Sequence, residues 1–481
     1  MIFKVNNFID ALVLIVTNVF ILYFTIYGAL NIWFFIVFLL DFMRMKPWDQ
    51  EIENSPEVTI LVPAFNEEKV IVHTVSSLLN LEYPRFSIIV IDDGSTDRTS
   101  KNLVEAFGMS EFELKGENGI RTSRIISTYR AKEHENLYLI RKENGGKADA
   151  LNVGLNYSKG QIVITIDADT ILSPRSLLRL INLFKEKNAA AVGGLLTVSN
   201  DAVIKDGRPL NARFPRNLLV VFQLIEYLVS YSIGRSALSR IDSLLVLSGA
   251  FSAFDRSLLI KVGGFLSKIS HGKSTVCEDM EIIVRLHRFL KSEGINRPIK
   301  FHFFPIAWTE VPSNLRNIVR QRNRWHRGLG ESLFIHFDML FNPLYKHIGL
   351  FAVPYYLIFE FLSPIVKLLS LFLIFILILM NLIHWQFVIT LFLLVTVLNG
   401  LYTSLVTTLV EMKFRNISRD NIDAMRFKTL GDWFKLVVLS FFLEPIFGVI
   451  RNYAQLWGIL DLIRGKVSWY KFEREGINVE Q

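Results

Sequence analysis

Hydrophobic positions fall into two regimes along the chain. From 11 to 40, "ALVLIVTNVFILYFTIYGALNIWFFIVFLL" carries no charged side chain. A helix needs about 20 apolar residues to cross a bilayer core, so this stretch is expected to span, tilted or bent near Gly28. It is too long for a signal-peptide core, and no small-residue cleavage site follows it. Comparable stretches recur at 349–380, 387–410 and 433–462. Residues 50–345 between them have the pattern of a soluble domain. A globular insert held by membrane helices at both ends is therefore expected.

Inside that insert, short apolar runs alternate with helical patterns. "VTILVPAF" (58–65) predicts a strand, followed by a helix from Glu67 to Leu79. "FSIIVIDD" (86–93) predicts a second strand, and Gly94 to Asp97 then open a helix with N-cap chemistry. "NLYLIR" (136–141) is a third strand, and Gly145-Gly146-Lys147 leads a helix through Tyr157. "QIVITIDAD" (161–169) is a fourth and "AAAVGGLL" (189–196) a fifth. The polar, glycine-punctuated stretch 108–135 is expected to be a surface excursion. This rhythm predicts a mostly parallel, Rossmann-like sheet covered by helices. Ligands of such sheets bind beyond the carboxyl ends of the strands. Pro63 to Glu67, Asp92-Asp93, Gly145 to Lys147 and Asp167 to Asp169 all fall there.

Composition supports the division. The 481 residues are 51% hydrophobic and 20% charged, with mean hydropathy +0.34, too apolar for a soluble protein and too charged for a bare helical bundle. Lys4 precedes the first span, whereas Arg44 and Lys46 follow it. Lys413, Arg415, Arg419, Arg426 and Lys428 crowd the loop 411–430, while the turn at 381–386 has no Lys or Arg. The basic-flank rule then puts the globular domain, the 411–430 loop and the tail (Arg464, Lys466, Lys471, Arg474) in the cytoplasm. Glu444 and Pro445 interrupt the last stretch, which is either a hairpin of short helices or partly interfacial. The net charge of +8 is explained by flanks facing anionic lipid rather than by nucleic acid. A lone Cys277 excludes an intrachain disulfide and a cysteine metal cage.

Asp167 and Asp169 at one strand tip, beside Asp92-Asp93, would repel one another unless a cation sits among them. Mg²⁺ or Mn²⁺ is suited to such a place, since Mg²⁺ takes one or two carboxylates and fills its shell with phosphate oxygens and water. Lys147, at a helix start behind two glycines, adds a cation and amide donors for the same anion. The pattern is neither a Walker loop nor a GxGxxG fingerprint. Glu278-Asp279 begin another helix. They either complement its dipole or, for Asp279, take a proton from an attacking hydroxyl. In "QRNRWHRG", Gln321, Arg324 and Trp325 share one helix face. Arg324 suits a diphosphate and Trp325 a sugar ring, while Arg320, Arg322 and Arg327 on the other faces would meet the membrane surface.

Together these segments resemble glycosyltransferase family 2, in its membrane-embedded inverting branch of cellulose, hyaluronan and poly-N-acetylglucosamine synthases. "VPAFNEE", "IDDGSTD", "NGGKADALN", "DAD", "SGAFSAF", "ED" and "QRNRW" occur in the family's order across about 56 to 330. The resemblance implies an α/β GT-A cytoplasmic domain inserted between transmembrane α-helices. It also implies an integral protein of the cell membrane that transfers sugar from a UDP-sugar to a growing β-linked glycan. Pro63, Ala64 and Glu67 would hold the uridine, Asp93 the nucleotide and Lys147 the diphosphate. Asp167 and Asp169 would hold the donor and its metal. Ser248 and Gly249 would line the acceptor pocket. Asp279, with Glu278 beside it, would be the base, and Gln321, Arg324 and Trp325 would gate the donor and stack the acceptor.

The expected division is an N-terminal membrane segment (1–49), the GT-A domain (50–312), an interface region with QxxRW (313–348), C-terminal membrane or interface helices (349–463) and a tail (464–481). Glu360, acidic within an apolar stretch, would either line a glycan channel or pair with a partner such as Arg451. One N-terminal span, where relatives have two or more, implies an accessory subunit for export. Transfer of a single sugar to a lipid and a non-catalytic scaffold with the same fold are the alternatives. N-acetylglucosamine and glucose are the favoured sugars.

Overall fold

The computed structural model describes residues 8–417 and 427–466, apart from 45, 47, 52 and 118. Of the basic residues used above for orientation, Lys4, Arg419, Arg426, Lys471 and Arg474 lie outside the described residues.

The described residues form twelve strands: β1 (Val58–Ala64), β2 (Phe86–Asp92), β3 (Met109–Glu111), β4 (Ile125–Ala131), β5 (Leu137–Lys142), β6 (Ile162–Ile166), β7 (Ile171–Leu172), β8 (Ala191–Val198), β9 (Ala202–Lys205), β10 (Arg208–Ala212), β11 (Phe251–Asp255) and β12 (Ile299–Thr309). Ten of them form one sheet, in the order β3-β4-β5-β2-β1-β6-β11-β8-β12-β7. Its centre, β5-β2-β1-β6, is parallel, with Val58 opposite Phe86 and Ile162. All seven residues of β1 are buried, as a strand covered on both faces requires. The common register brings the ends of β1, β2, β5 and β6 to one edge, where the candidate site residues follow.

The expected helix from Glu67 starts only at Ile71. The intervening loop is held out by cross-loop bonds: the amides of Asn66, Glu67 and Glu68 donate to Ser95 Oγ, Thr99 Oγ1 and Asp97 Oδ2. The fourth strand likewise ends at Ile166, leaving Asp167 to Asp169 in the turn beyond it. The 108–135 stretch is more than an excursion. It supplies β3 and β4, an antiparallel flap on the edge of β5. Its signal was faint because β4, "IISTYRA", mixes polar residues into a half-exposed edge. The SGAF segment likewise runs into β11, antiparallel to β6 with Phe251 opposite Ile166.

Among the described residues, four helical segments are long and apolar enough to cross a membrane: Ala11–Arg44, Leu218–Arg240, Trp385–Lys413 and Leu430–Ile463. A fifth arises if Ile348–Phe361 and Ser363–Leu379, which bend by 48°, count as one. Leu218–Arg240 is mostly buried, and its first part, Leu218–Val229, packs against β8 and the Trp385–Ile417 helix. It belongs to the core. Leu430–Ile463 has a widened turn at Leu443–Gly448, which includes Glu444 and Pro445. Its second half, Val449–Ile463, packs along the Leu315–Ile335 helix that carries QRNRW. There Asn323 Nδ2 donates to Asp461 Oδ2 at 3.0 Å. The expected lipid-facing arginines of that helix are corrected. Arg322 and Arg327 are buried, because Val449–Ile463 and Glu226 cover the faces they occupy.

Candidate functional site

The site is built around Lys147. β5 ends at Lys142, and the turn through Gly145 and Gly146 swings into the Lys147–Tyr157 helix. Gly146 takes φ +87°, a conformation side chains disfavour. Asp93 holds this turn from below, accepting from the amides of Gly145 at 2.9 Å and Gly146 at 2.8 Å. It also pairs with Lys142, which is fully buried and reaches Asp149 at 2.9 Å. Asp93 therefore faces the turn, with both carboxylate oxygens engaged. Sequence reading missed Lys142 and Asp149. A lysine ending an apolar strand looks like an exposed end, and only the tertiary fold shows it wedged between two acids.

Lys147 Nζ stands 2.7 Å from Asp167 Oδ1 and 2.7 Å from Glu278 Oε1. Asp279 lies alongside, accepting from the Gly249 amide at 3.1 Å. A Cβ on Gly249 would come within 3.0 Å of Lys147 Nζ and 3.2 Å of the Asp279 Cβ. A side chain at 249 would press on both groups. Residues 147, 167, 249, 278 and 279 thus form one cluster across four segments, as the strand-end argument expects. Ala64 and Pro63 end β1, and the Ala64 carbonyl accepts from the Asp93 amide at 2.9 Å. Ser248 anchors the other side, its carbonyl accepting from Ser252 Oγ at 2.7 Å.

Electrostatics follow from this packing. Burial pulls the Lys147 ammonium down, but Asp167, then Glu278 and Asp279, outweigh it and hold the group above the ordinary lysine range. Asp279 is pushed up, first by burial and then by the Glu278 charge. Lys147, the Gly249 amide and Arg324 act against that rise.

Gln321, Arg324 and Trp325 share the Leu315–Ile335 helix, and the charge of Arg324 is felt at Asp279. The Gln321 Oε1 atom is buried and meets no donor among the described residues. The Arg322 guanidinium lies 4.5 Å from the Trp325 ring centroid. It also pairs with Glu226 at 2.6 Å, and Glu226 takes Arg451 at 2.9 Å. Arg451 in turn bonds Glu444, so the expected pairing with Glu360 is not made; Glu360 accepts from the Tyr355 hydroxyl at 3.0 Å.

No group of three or more metal-ligating side chains occurs among the described residues. Asp167, a third exposed, and the buried Asp169 offer only hard carboxylate oxygens. That donor set suits Mg²⁺ or Mn²⁺ completed by phosphate and water. The residues fit such an ion.

Residues 56–328 match the family described as glycosyltransferase like family 2. That is more than half of the chain, which belongs to this family, and its sheet is the GT-A arrangement. Over 320 residues it is 26% identical to a poly-beta-1,6-N-acetyl-D-glucosamine synthase of Staphylococcus epidermidis, covering 65% of this chain and 66% of that protein. Over 297 residues it is 28% identical to a probable glycosyltransferase of Bacillus subtilis (strain 168), covering 60% and 59%. The match thus spans just under two thirds of the first relative and less of the second. A solved mannosyltransferase of Pyrobaculum calidifontis, in complex with GDP-Man and Mn²⁺, aligns over 92% of this chain and 99% of its own, with 17% identity and TM-score 0.49.

Proposed function

We propose that the protein is an inverting, metal-dependent glycosyltransferase that adds sugar from a UDP-sugar to a growing β-linked polysaccharide at the membrane. The observation that carries this reading is the cluster of Lys147, Asp167, Glu278 and Asp279 around Gly249, in a family 2 domain whose QRNRW helix is packed against a membrane-embedded segment. The acceptor hydroxyl oxygen attacks the anomeric carbon while its proton passes to the Asp279 carboxylate. The bond from that carbon to the diphosphate breaks, and its electron pair leaves with UDP. Lys147 and Arg324 face the charge that builds on the leaving oxygens. Pro63, Ala64 and Glu67 would frame the uridine, with Asp93 fixing the neighbouring turn. Asp167 and Asp169 would hold the divalent ion, which supplies neutralisation of the diphosphate. Gln321 and Trp325, with Ser248 and Gly249, would seat the acceptor.

The poly-N-acetylglucosamine synthases among the relatives favour N-acetylglucosamine as the sugar. In this reading the 50–312 domain faces the cytoplasm, 313–348 lies at the interface and 349–463 serves export together with a further subunit; the basic flanks support that orientation. The test incubates the full chain in lipid nanodiscs with labelled UDP-N-acetylglucosamine, UDP-glucose or GDP-mannose, with Mg²⁺, with Mn²⁺, or with chelator. Ion-dependent UDP release and a long β-linked product are expected. A product that stops at one sugar would replace this reading with single transfer to a lipid. No donor consumption under any condition would end the enzymatic reading.

A further inference from the structure

A groove of about 700 Å³, lined by none of the residues of the catalytic cluster, lies between residues 211–218 and the first turns of the Leu430–Phe442 helix. Four cations line it: Arg213, Arg216, Lys428 and Lys435. The carboxylate in the lining, Asp432, is committed to its own helix start, accepting from the Thr429 amide at 3.0 Å. The rest of the lining is largely apolar. Lys435 lies over the Phe214 ring at 5.5 Å, and Phe434 is 70% exposed. Leu430 just outside it is 90% exposed.

Such exposure would be costly in water. Here it falls at the start of a segment long and apolar enough to cross a membrane, so lipid rather than water meets those side chains. The cations stand where the polar domain meets that apolar helix. A ligand filling both halves needs an anionic head and a hydrocarbon body. We propose that this groove binds the headgroup of an anionic phospholipid, with the phosphodiester between Arg216, Lys428 and Lys435 and an acyl chain along Phe434 and Val438. Charge complementarity argues for the anion, since Arg216, Lys428 and Lys435 share the lining with one carboxylate, Asp432, that caps its own helix. The apolar wall argues for a lipid rather than free phosphate. The site is independent of the sugar chemistry.

The test uses the full chain purified in neutral detergent, exchanged with equal phosphatidylglycerol and phosphatidylcholine, and weighed intact by native mass spectrometry. Selective retention of phosphatidylglycerol is expected. Lys428→Gln/Lys435→Gln should lower that retention about 25-fold, at roughly fivefold for each cation removed. Lys101→Gln/Lys132→Gln, two exposed cations elsewhere on the domain, should leave it unchanged. Phe434→Ser should weaken lipid retention while leaving the elution profile intact. Equal retention of the two lipids, or a double variant that keeps wild-type retention, would overturn the proposal. Displacement by glycerol phosphate as readily as by lipid would show an anion site alone and would also overturn it. A photo-crosslinker at 434 that captures residues 418–426 or another protein instead of lipid would do the same.

Discussion

Arg322 and Glu226 form a buried ion pair, Nη2 to Oε2 at 2.6 Å, that joins the helix bearing Trp325 to the core helix Leu218–Val229. Because the other Glu226 oxygen takes Arg451 at 2.9 Å, a single carboxylate ties the proposed acceptor platform to the last segment long and apolar enough to cross a membrane. Glu226→Gln removes the carboxylate facing Arg322 and leaves Arg451 with Glu444. Breaking a buried pair in this way costs about 3–5 kcal/mol, so denaturation should come at markedly lower temperature. The companion Glu226→Leu/Arg322→Met removes the charges together and should recover much of that stability. If the pair serves to hold Trp325, the double variant remains folded yet makes shorter product, and gel analysis of labelled glycan reads this directly.

Asp279 should set the acidic limb of the rate profile. Its carboxyl is raised by burial and by the neighbouring Glu278 charge, and the base must be ionised, so activity falls as pH drops through that raised value. Glu278→Gln removes the like charge and lowers the Asp279 pKa, which should move the limb to lower pH. Lys147→Gln removes a stabilising cation and should move it the other way. Asp279→Asn should cut kcat about 10²–10⁴-fold with donor binding retained by calorimetry. A profile whose acid limb ignores both neighbours would rule out this assignment of the base.

Two buried histidines make stability depend on pH. Burial holds His287 down at about 4 and His302 at about 3, whereas an unfolded histidine titrates near 6.5. The unfolded chain therefore binds protons first as pH falls. Stability is full above about 6.5, declines through the window down to the folded values and levels below them. Each histidine contributes a slope of about 1.4 kcal/mol per pH unit inside the window. Urea titrations of the detergent-solubilised chain at pH 7.5, 6 and 5 should show the decline, and His287→Gln should reduce the slope by one proton.

Much of this was legible because the residues involved obey local rules. Val58–Ala64 and Ile162–Ile166 are continuous apolar runs that only a covered parallel strand explains, and strand direction alone sends Asp93, Lys147 and Asp167 to one edge. Glu278 and Asp279 were readable as a helix start. What stayed hidden depends on distant partners. Arg322 and Arg327 look like surface charge until Val449–Ile463 folds over them. Arg451 could be matched to Glu360 by sign, yet geometry gives it Glu444 and Glu226. The β3–β4 flap lacks periodicity because half of it faces water. The contact of Lys147 with both Asp167 and Glu278 was also hidden, because Glu278 comes from a helix start more than a hundred residues downstream.

Lys142 offers the sharpest separation of positioning from contact. It is fully buried between Asp93 and Asp149, at the end of the strand that precedes the Lys147 turn. Lys142→Met keeps the length of the side chain but strands two carboxylates in the interior, a loss of about 3–5 kcal/mol. It also frees Asp93 from the partner that orients it toward the Gly145 and Gly146 amides. The turn then holds Lys147 less firmly, and the donor KM should rise about tenfold while the acid limb set by Asp279 moves upward, because a displaced ammonium no longer offsets the carboxylates. Asp149→Asn in the Lys142→Met background should return part of the stability, since one stranded charge is gone, without returning the donor KM. Were both to recover together, Lys142 would be a packing residue only, and the hold on the turn would belong to Asp93 and the backbone alone.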